Sequence, residues 1–428
     1  MACARALVSF LLLTVPLRGA PARAAAPFWA VAELTGDGLG CLRGAPSERV
    51  ALLACREQCA PIPWQLDERD PAGRLALGEG PQPNLDDPPD HVDDNDELRW
   101  MASDAGRRME TSEVPAGIAC GFEIELRSPA SDWSGWVYAF VFPGNAPRSP
   151  VSYVRYDPDR DVIVGARVSL GFQGATPQYL GWRDGADRGE INLLDRLKVR
   201  ASARFLGVIP MGRDEGDLST EFVAWRAGPI RVVRRQRQWI RLGWGIHSPT
   251  FGSDTYFYRD FAELPVTLRL NFPPTYFFYP ITVRAVLDFR DLRGWHLLVP
   301  GLPAPVVVGD LDPAVIDRLN QLPGDWFALI GPGVTLLQTL GVSPSLATVE
   351  RRLLYREQTD PDEPEAVAGE MPGVGYRLTN WSGVGSGVHW FSSTSYALPP
   401  DYDPVRFVTE LQQPLVIEPH PLPTAAHP

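Results

Sequence analysis

Residues 151–172 read VSYVRYDPDRDVIVGARVSLGF. Two apolar runs rich in Val, Ile, Tyr and Phe flank Asp157-Pro158-Asp159, a turn triplet that extends neither run. The stretch therefore reads as a β-hairpin, and its pattern recurs along the chain. Downstream it returns in LKVRASARFLGVI (197–209), EFVAWRAGPIRVVRRQRQWIRLGW (221–244), LPVTLRLNF (264–272), ITVRAVLDF (281–289) and ATVERRLLYREQ (347–358). Upstream it is preceded by RVALLAC (49–55), IACGFEIELR (118–127) and the strongly apolar WVYAFVF (136–142). Helical periodicity is nearly absent, and 43 Pro and 39 Gly punctuate the runs. These features predict an all-β, mainly antiparallel chain.

Pro-Gly-Asn-Ala-Pro after Phe142 marks a boundary near 143–150. The expected organisation is a small N-terminal β domain (27–147), a large β-sandwich (148–410) and an extended tail (411–428). One excursion breaks the strand pattern. Asp312-Pro313 supplies an N-cap and a proline at the first helical position, so a short helical insertion is expected near 312–322. Residues 357–371 are polar and acidic and read as a surface loop. The terminal EPHPLPTAAHP (418–428) reads as no strand, which speaks against a membrane barrel.

Residues 1–25 read as an export signal: Arg5, an apolar core from Ala6 to Leu17, then Ala22-Arg23-Ala24-Ala25, with cleavage expected near Ala24 or Ala25. The core is shorter than the roughly 20 residues of a membrane span. No cysteine follows it at lipobox distance. The net charge is −12, and loss of Arg5, Arg18 and Arg23 would make it more negative. That argues against a nucleic-acid partner. Cys41, Cys55, Cys59 and Cys120 remain after cleavage. In an exported chain they read as two disulfides with three possible pairings, the alternative being a redox or metal-binding Cys-x3-Cys pair.

Three constellations could carry function. Between Asn84 and Glu97 stand seven carboxylates, and the alternating oxygen donors Asp93, Asn95 and Glu97 suit Ca²⁺. The competing reading is a solvated acidic loop. Arg226 to Arg241 holds six arginines and no acid. As a strand, Arg231, Arg235, Arg237 and Arg241 share a face with Trp239, and Trp244 follows. Such a ridge could fork onto the carboxylates of a uronate-containing glycan, or simply pair with acids on neighbouring strands. Finally, His247, His296 and His389 stand among many aromatics. His247 and His296, with Arg235, are the catalytic candidates for general acid/base chemistry, with Glu221 or Asp254 as partners. Each histidine alone is more often structural.

One further stretch, Pro61 to Gly106, carries a resemblance. PIPWQLDERD followed by DDNDELRWMASDAG is similar to the N-terminal segment of exported bacterial β-sandwich proteins, in which "PVQVDE" precedes "D-x-N/D-DEL-x-F-x-A-x-D". Pro63, Gln65, Asp67, Glu68, Asp94, Asp96, Glu97, Leu98, Met101, Ala102 and Asp104 fit that outline. AGPIRVVRR (227–235) loosely resembles the large sandwiches of sugar mutarotases and some polysaccharide lyases, though their catalytic His and Glu set finds no counterpart. The resemblance implies a carbohydrate ligand. The leading expectation is an exported, non-catalytic carbohydrate-binding protein of the envelope or extracellular space. The alternatives are a lyase or mutarotase-like epimerase, and a structural envelope assembly protein marked by an exposed apolar patch.

Overall fold

The computed structural model describes residues 27–422 apart from 87, 175, 183–190, 244, 245, 249 and 359–369; for 242, 243 and 246 it describes the backbone alone. The expected signal segment, Trp244 and most of the acidic loop 357–371 lie outside the described residues. The rest is mostly antiparallel β-structure.

The N-terminal part comprises β1 (Val31–Thr35), β2 (Val50–Cys55), β3 (Cys59–Pro61), β4 (Trp64–Asp67), β5 (Glu97–Met101), β6 (Cys120–Arg127) and β7 (Ser134–Val141). A three-stranded sheet, β1-β5-β4, packs on a five-stranded one in which β6, β7, β2 and β3 lie side by side. Between them sit Leu52, Trp64, Leu98, Trp100, Phe122, Ile124 and Val137. Disulfides join Cys41 to Cys120 and Cys55 to Cys59. The second of these sits directly across the β2–β3 hairpin.

The hairpin at 151–172 forms as expected, with β8 (Arg155–Asp157) paired to β9 (Val162–Val164). With β10 (Val168–Gln173), β11 (Thr176–Trp182) and β12 (Ile191–Asn192) it makes a five-stranded meander. Then follow β13 (Leu194–Phe205), β14 (Ile209–Arg213), β15 (Leu218–Ala227), β16 (Val232–Gly243), β17 (Ile246–His247), β18 (Phe251–Phe257), β19 (Phe261–Leu270), β20 (Thr282–Phe289), β21 (His296–Leu298) and β22 (Val306–Val307). The chain continues through α1 (Pro313–Leu319), β23 (Trp326–Gly331), β24 (Val334–Val342), β25 (Glu350–Arg356), β26 (Gly373–Thr379), β27 (Gly387–Leu398), α2 (Pro404–Leu411) and β28 (Val416–Pro421).

A ten-stranded sheet runs β15-β16-β18-β19-β27-β24-β23-β21-β22, with β17 paired to β16. It faces the meander and a third sheet, β14-β13-β20-β26-β25. The shared core joins Val232, Phe257, Leu329 and Leu336 of the large sheet to Leu180, Phe289, Tyr355 and Tyr376 opposite. Phe289 and Tyr355 are at most 1% exposed, and burial of such a side chain contributes about 1.5–3 kcal/mol.

The expected helix is α1, where Asp312 accepts the N–H of Ala314 at 2.8 Å. Two expectations need correction. The tail is not merely extended: β28 pairs with β6 and completes the N-terminal five-stranded sheet. Its prolines are tolerated because it is an edge strand, where a missing N–H faces outward. The sandwich region also ends in an unexpected helix, α2. Its Phe407 is fully buried beneath Trp29, Tyr396 and Tyr402 on the outer face of the large sheet.

Candidate functional site

The Pro61–Gly106 stretch joins the N-terminal sheet to the large one. On β4, Gln65 accepts the backbone N–H groups of Ile230 and Arg231 at 3.2 and 3.0 Å and donates to Asp67 at 2.6 Å. A Cβ on Gly228 would lie 2.0 Å from the Gln65 side-chain oxygen, so a larger residue there would displace the amide that makes these bonds. Asp67 pairs with Arg231 at 2.8 Å and Arg99 at 3.0 Å. Arg231, 3% exposed, also stacks over the Tyr256 ring at 4.7 Å. Glu97 is held by Arg69 and Arg99 and lies 3.6 Å from Arg231. Glu68 pairs with Arg226 at 3.3 Å, and buried Asp104 accepts the Tyr153 hydroxyl at 2.6 Å. The acids of this stretch are thus mostly ion-pair partners.

That arrangement separates the expected calcium ligands. Glu97 points into the arginine cluster, while Asp93 accepts the N–H of Asn95 at 3.0 Å. The carboxylates that do meet are Asp86, Asp93 and Asp96, whose oxygens lie within 4.8 Å of one another. Asp96 accepts N–H groups from Arg69 and Asp93 at 3.1 and 2.9 Å. Burial, joined by Asp93 and Asp86, nevertheless lifts its carboxyl to about 6.

Beside this joint the connection 69–84 folds over the edge of the large sheet. Glu79 exchanges backbone hydrogen bonds with Trp225 on β15, and Gln82 donates its N–H to Val223 at 2.8 Å. Leu75 and Leu77 pack against Val223, Ala224 and Val233. The connection thereby walls a groove across the outer face of β15, β16, β18 and β19. Its two adjoining hollows, of about 510 and 550 Å³, share Val223, Arg235, Arg237, Asp254 and Tyr256. Arg69 and Arg74 line the wall side; Glu263, Pro265 and Thr267 line the far side.

Arg235 locks the groove together. It grips Asp254 with two bonds of 2.7 Å and reaches Asn84 at 3.0 Å and the Leu75 carbonyl at 3.1 Å. Arg237 is exposed and meets Glu221 at 3.1 Å. Burial, with Asp254 adding to it, pushes the Tyr256 hydroxyl up to about 12 despite Arg231 beneath it. At neutral pH this phenol is a hydrogen-bond donor and not a base.

The remaining sequence candidates fall elsewhere. Arg231 does not present itself on the ridge but is buried in the joint. Arg241 donates to the Gly216 carbonyl, and half-buried Trp239 lies 6.5 Å from the His247 ring. His247 pairs with Arg241 in register, six residues along β16 from Arg235, or about 20 Å. His296 is on β21, six strand spacings across the sheet, or about 29 Å in its plane. The catalytic candidates His247, His296 and Arg235 therefore do not converge, and no histidine lines the groove among the described residues. His389 is buried, with its ring nitrogens on Ser345 and the Gly385 carbonyl. Sequence reasoning missed the wall of the groove. Its contacts with the sheet span 139 to 160 residues, and no local pattern encodes them. The chain matches no protein-family model and no curated protein.

Proposed function

We propose that the protein is an exported, non-catalytic binder of acidic carbohydrate that holds its ligand in the groove between the 69–84 wall and β16–β18. The observation that supports this most is the lining: Arg69, Arg74, Arg235 and Arg237 in a chain of net charge −12, beside the protonated Tyr256. Arginine forks match carboxylates, and a tyrosine offers both ring and hydroxyl to a sugar. Two disulfides suit an oxidising compartment. A lyase or epimerase would need a base near its substrate, and no histidine is among the described residues that line the groove.

The test is calorimetric titration with oligouronates beside a glycan array. Arg237→Ala is expected to weaken binding at least tenfold while leaving the melting temperature nearly unchanged, because an exposed ion pair contributes only about 0–1 kcal/mol. Equal affinity in the variant would remove the groove from the proposal. The structural alternative has its own support. Leu206, Val208, Ile209, Phe272, Tyr276, Phe277 and Tyr279 are 40–73% exposed. They gather where the β13–β14 turn meets residues 272–279. Silence on every glycan, with association that depends on these side chains, would favour envelope assembly.

Calcium is the second element of the proposal, now at Asp86, Asp93 and Asp96. A folded-state pKa raised to about 6 gives stability that is complete below the unfolded value near 3.9 and is lost as pH rises through 6. In chelator, stability is expected to fall between about pH 4 and pH 6.5 by up to about 3 kcal/mol from this group, about half of that above pH 5. A cation among the carboxylates offsets that loss, so calcium should raise the melting temperature more at pH 7 than at pH 5. Identical melting with millimolar calcium and with chelator would discard the ion.

A further inference from the structure

Two loops build one apolar tip at the end of the sandwich. The first is the β13–β14 turn, residues 205–209. The second is the connection 271–281, where the chain leaves the large sheet after β19 and enters the third sheet at β20. The loops are fastened together. Leu206 donates its N–H to the Phe277 carbonyl at 2.7 Å, and Tyr279 donates its N–H to the Arg204 carbonyl at 3.0 Å. The Phe277 ring lies 6.4 Å from Phe205 and 5.3 Å from Phe272. Backbone bonds and rings thus hold exposed apolar side chains in fixed places. Scattered apolar residues on a surface are ordinary, but a contiguous set marks a contact surface.

The turn is locally unfavourable. The Phe205 carbonyl accepts the N–H of Val208 at 3.1 Å, and the two residues between them, Leu206 and Gly207, have φ of 50° and 73°. Turns with two positive φ angles favour Asn-Gly. A leucine is strained at that place, and its side chain is 52% exposed, so burial does not compensate.

Charge decides what the tip fits. Neither 196–213 nor 264–287 contains an acid, in a chain with 52 acids against 40 Lys and Arg. Exposed Arg204 adjoins Tyr279, and exposed Arg269 precedes Phe272 by three residues, or about 10 Å of chain at most. The tip is therefore flanked by cations in an acidic molecule. We propose that it docks on a lipid bilayer bearing anionic headgroups. Leu206, Val208 and Ile209 enter the acyl boundary. Exposed Tyr276 and Tyr279 lie at headgroup level, where amphipathic rings are favoured. Arg204 and Arg269 meet the headgroup phosphates. The same anionic surface repels the acidic remainder of the chain, which orients the tip toward it. Two short loops give interfacial attachment and not a span. The inference does not rest on the groove or its ligand.

The experiment sediments the full chain with vesicles of phosphatidylcholine alone and of equal parts phosphatidylcholine and phosphatidylglycerol. The parent is expected to bind the mixed vesicles more tightly, on the order of tenfold, and added salt should narrow that difference. Val208→Asp with Phe272→Asp is expected to weaken binding by on the order of tenfold or more. Its melting temperature should be nearly unchanged, because both positions are exposed. Leu206→Asn separates binding from folding: asparagine tolerates the left-handed conformation, so melting should rise while vesicle binding weakens. Arg204→Gln with Arg269→Gln should leave only the binding seen with phosphatidylcholine alone. Equal binding by the parent and the aspartate variant would overturn the proposal, as would failure of the parent to bind either vesicle. Self-association that the aspartate variant abolishes, with vesicles left unbound, would overturn it in favour of an interface between copies of this chain.

Discussion

Arg231→Met is expected to lower the unfolding free energy by about 3–5 kcal/mol, the cost of leaving buried carboxylates without their cation. Arg231 and Asp67 have side chains 4% and 1% exposed, so water cannot replace the lost guanidinium. Arg99 would then be the one guanidinium left on Asp67 while still sharing Glu97 with Arg69. The damage is specific to breaking the network. Combining Arg231→Met with Asp67→Leu should recover part of the loss, because a buried pair replaced by apolar groups of similar volume is often neutral. Denaturant unfolding at pH 7 measures both. A loss below about 1 kcal/mol for Arg231→Met would mean that Arg99 suffices and that the joint is weaker than described.

The second large effect concerns the disulfides. Cys41 and Cys120 are 79 residues apart in sequence, against 4 for Cys55 and Cys59. In the chain-entropy account, stabilisation grows with the logarithm of the closed loop, giving about 4.5 kcal/mol for the first and about 2 kcal/mol for the second. Replacing Cys41 and Cys120 with serine should therefore lower the melting temperature more than replacing Cys55 and Cys59. The long bridge ties the turn before β2 to the start of β6, next to core residue Phe122. Equal losses for the two pairs would show that local packing, and not loop closure, sets their contribution.

The β class was legible because period-two alternation survives in isolated segments, as in β6 and β20. The Asp-Pro signal located α1, and the same signal at Asp403-Pro404 marks α2, where Asp403 accepts the N–H of Val405 at 2.9 Å. It was passed over because the aromatic, glycine-broken surroundings read as strand. The tail was misjudged for a different reason. Pro419 and Pro421 exclude a central strand, but β28 lies at an edge and pairs in full register with β6. The site was legible only residue by residue. Alternation correctly put Arg235 and Arg237 on one face, yet Arg231 lies just before β16 begins and turns inward. The alternation that grouped Asp93 with Glu97 failed because Glu97 opens β5, where its neighbours are arginines.

The pairing of β28 with β6 also sets an order of events during synthesis. Cys120–Arg127 is complete 289 residues before Val416 is added (416 − 127). Until Val416–Pro421 emerges, the outer edge of β6 keeps its unpaired N–H and C=O groups, the kind of edge that recruits other chains. The N-terminal sheet therefore cannot finish before Val416–Pro421 is made, and growth from one end does not imply folding from that end. The two ends of the described chain close one another: Phe28 and Trp29 cover α2, and β28 covers β6. A chain halted before residue 416 would be left with an open, adhesive flank.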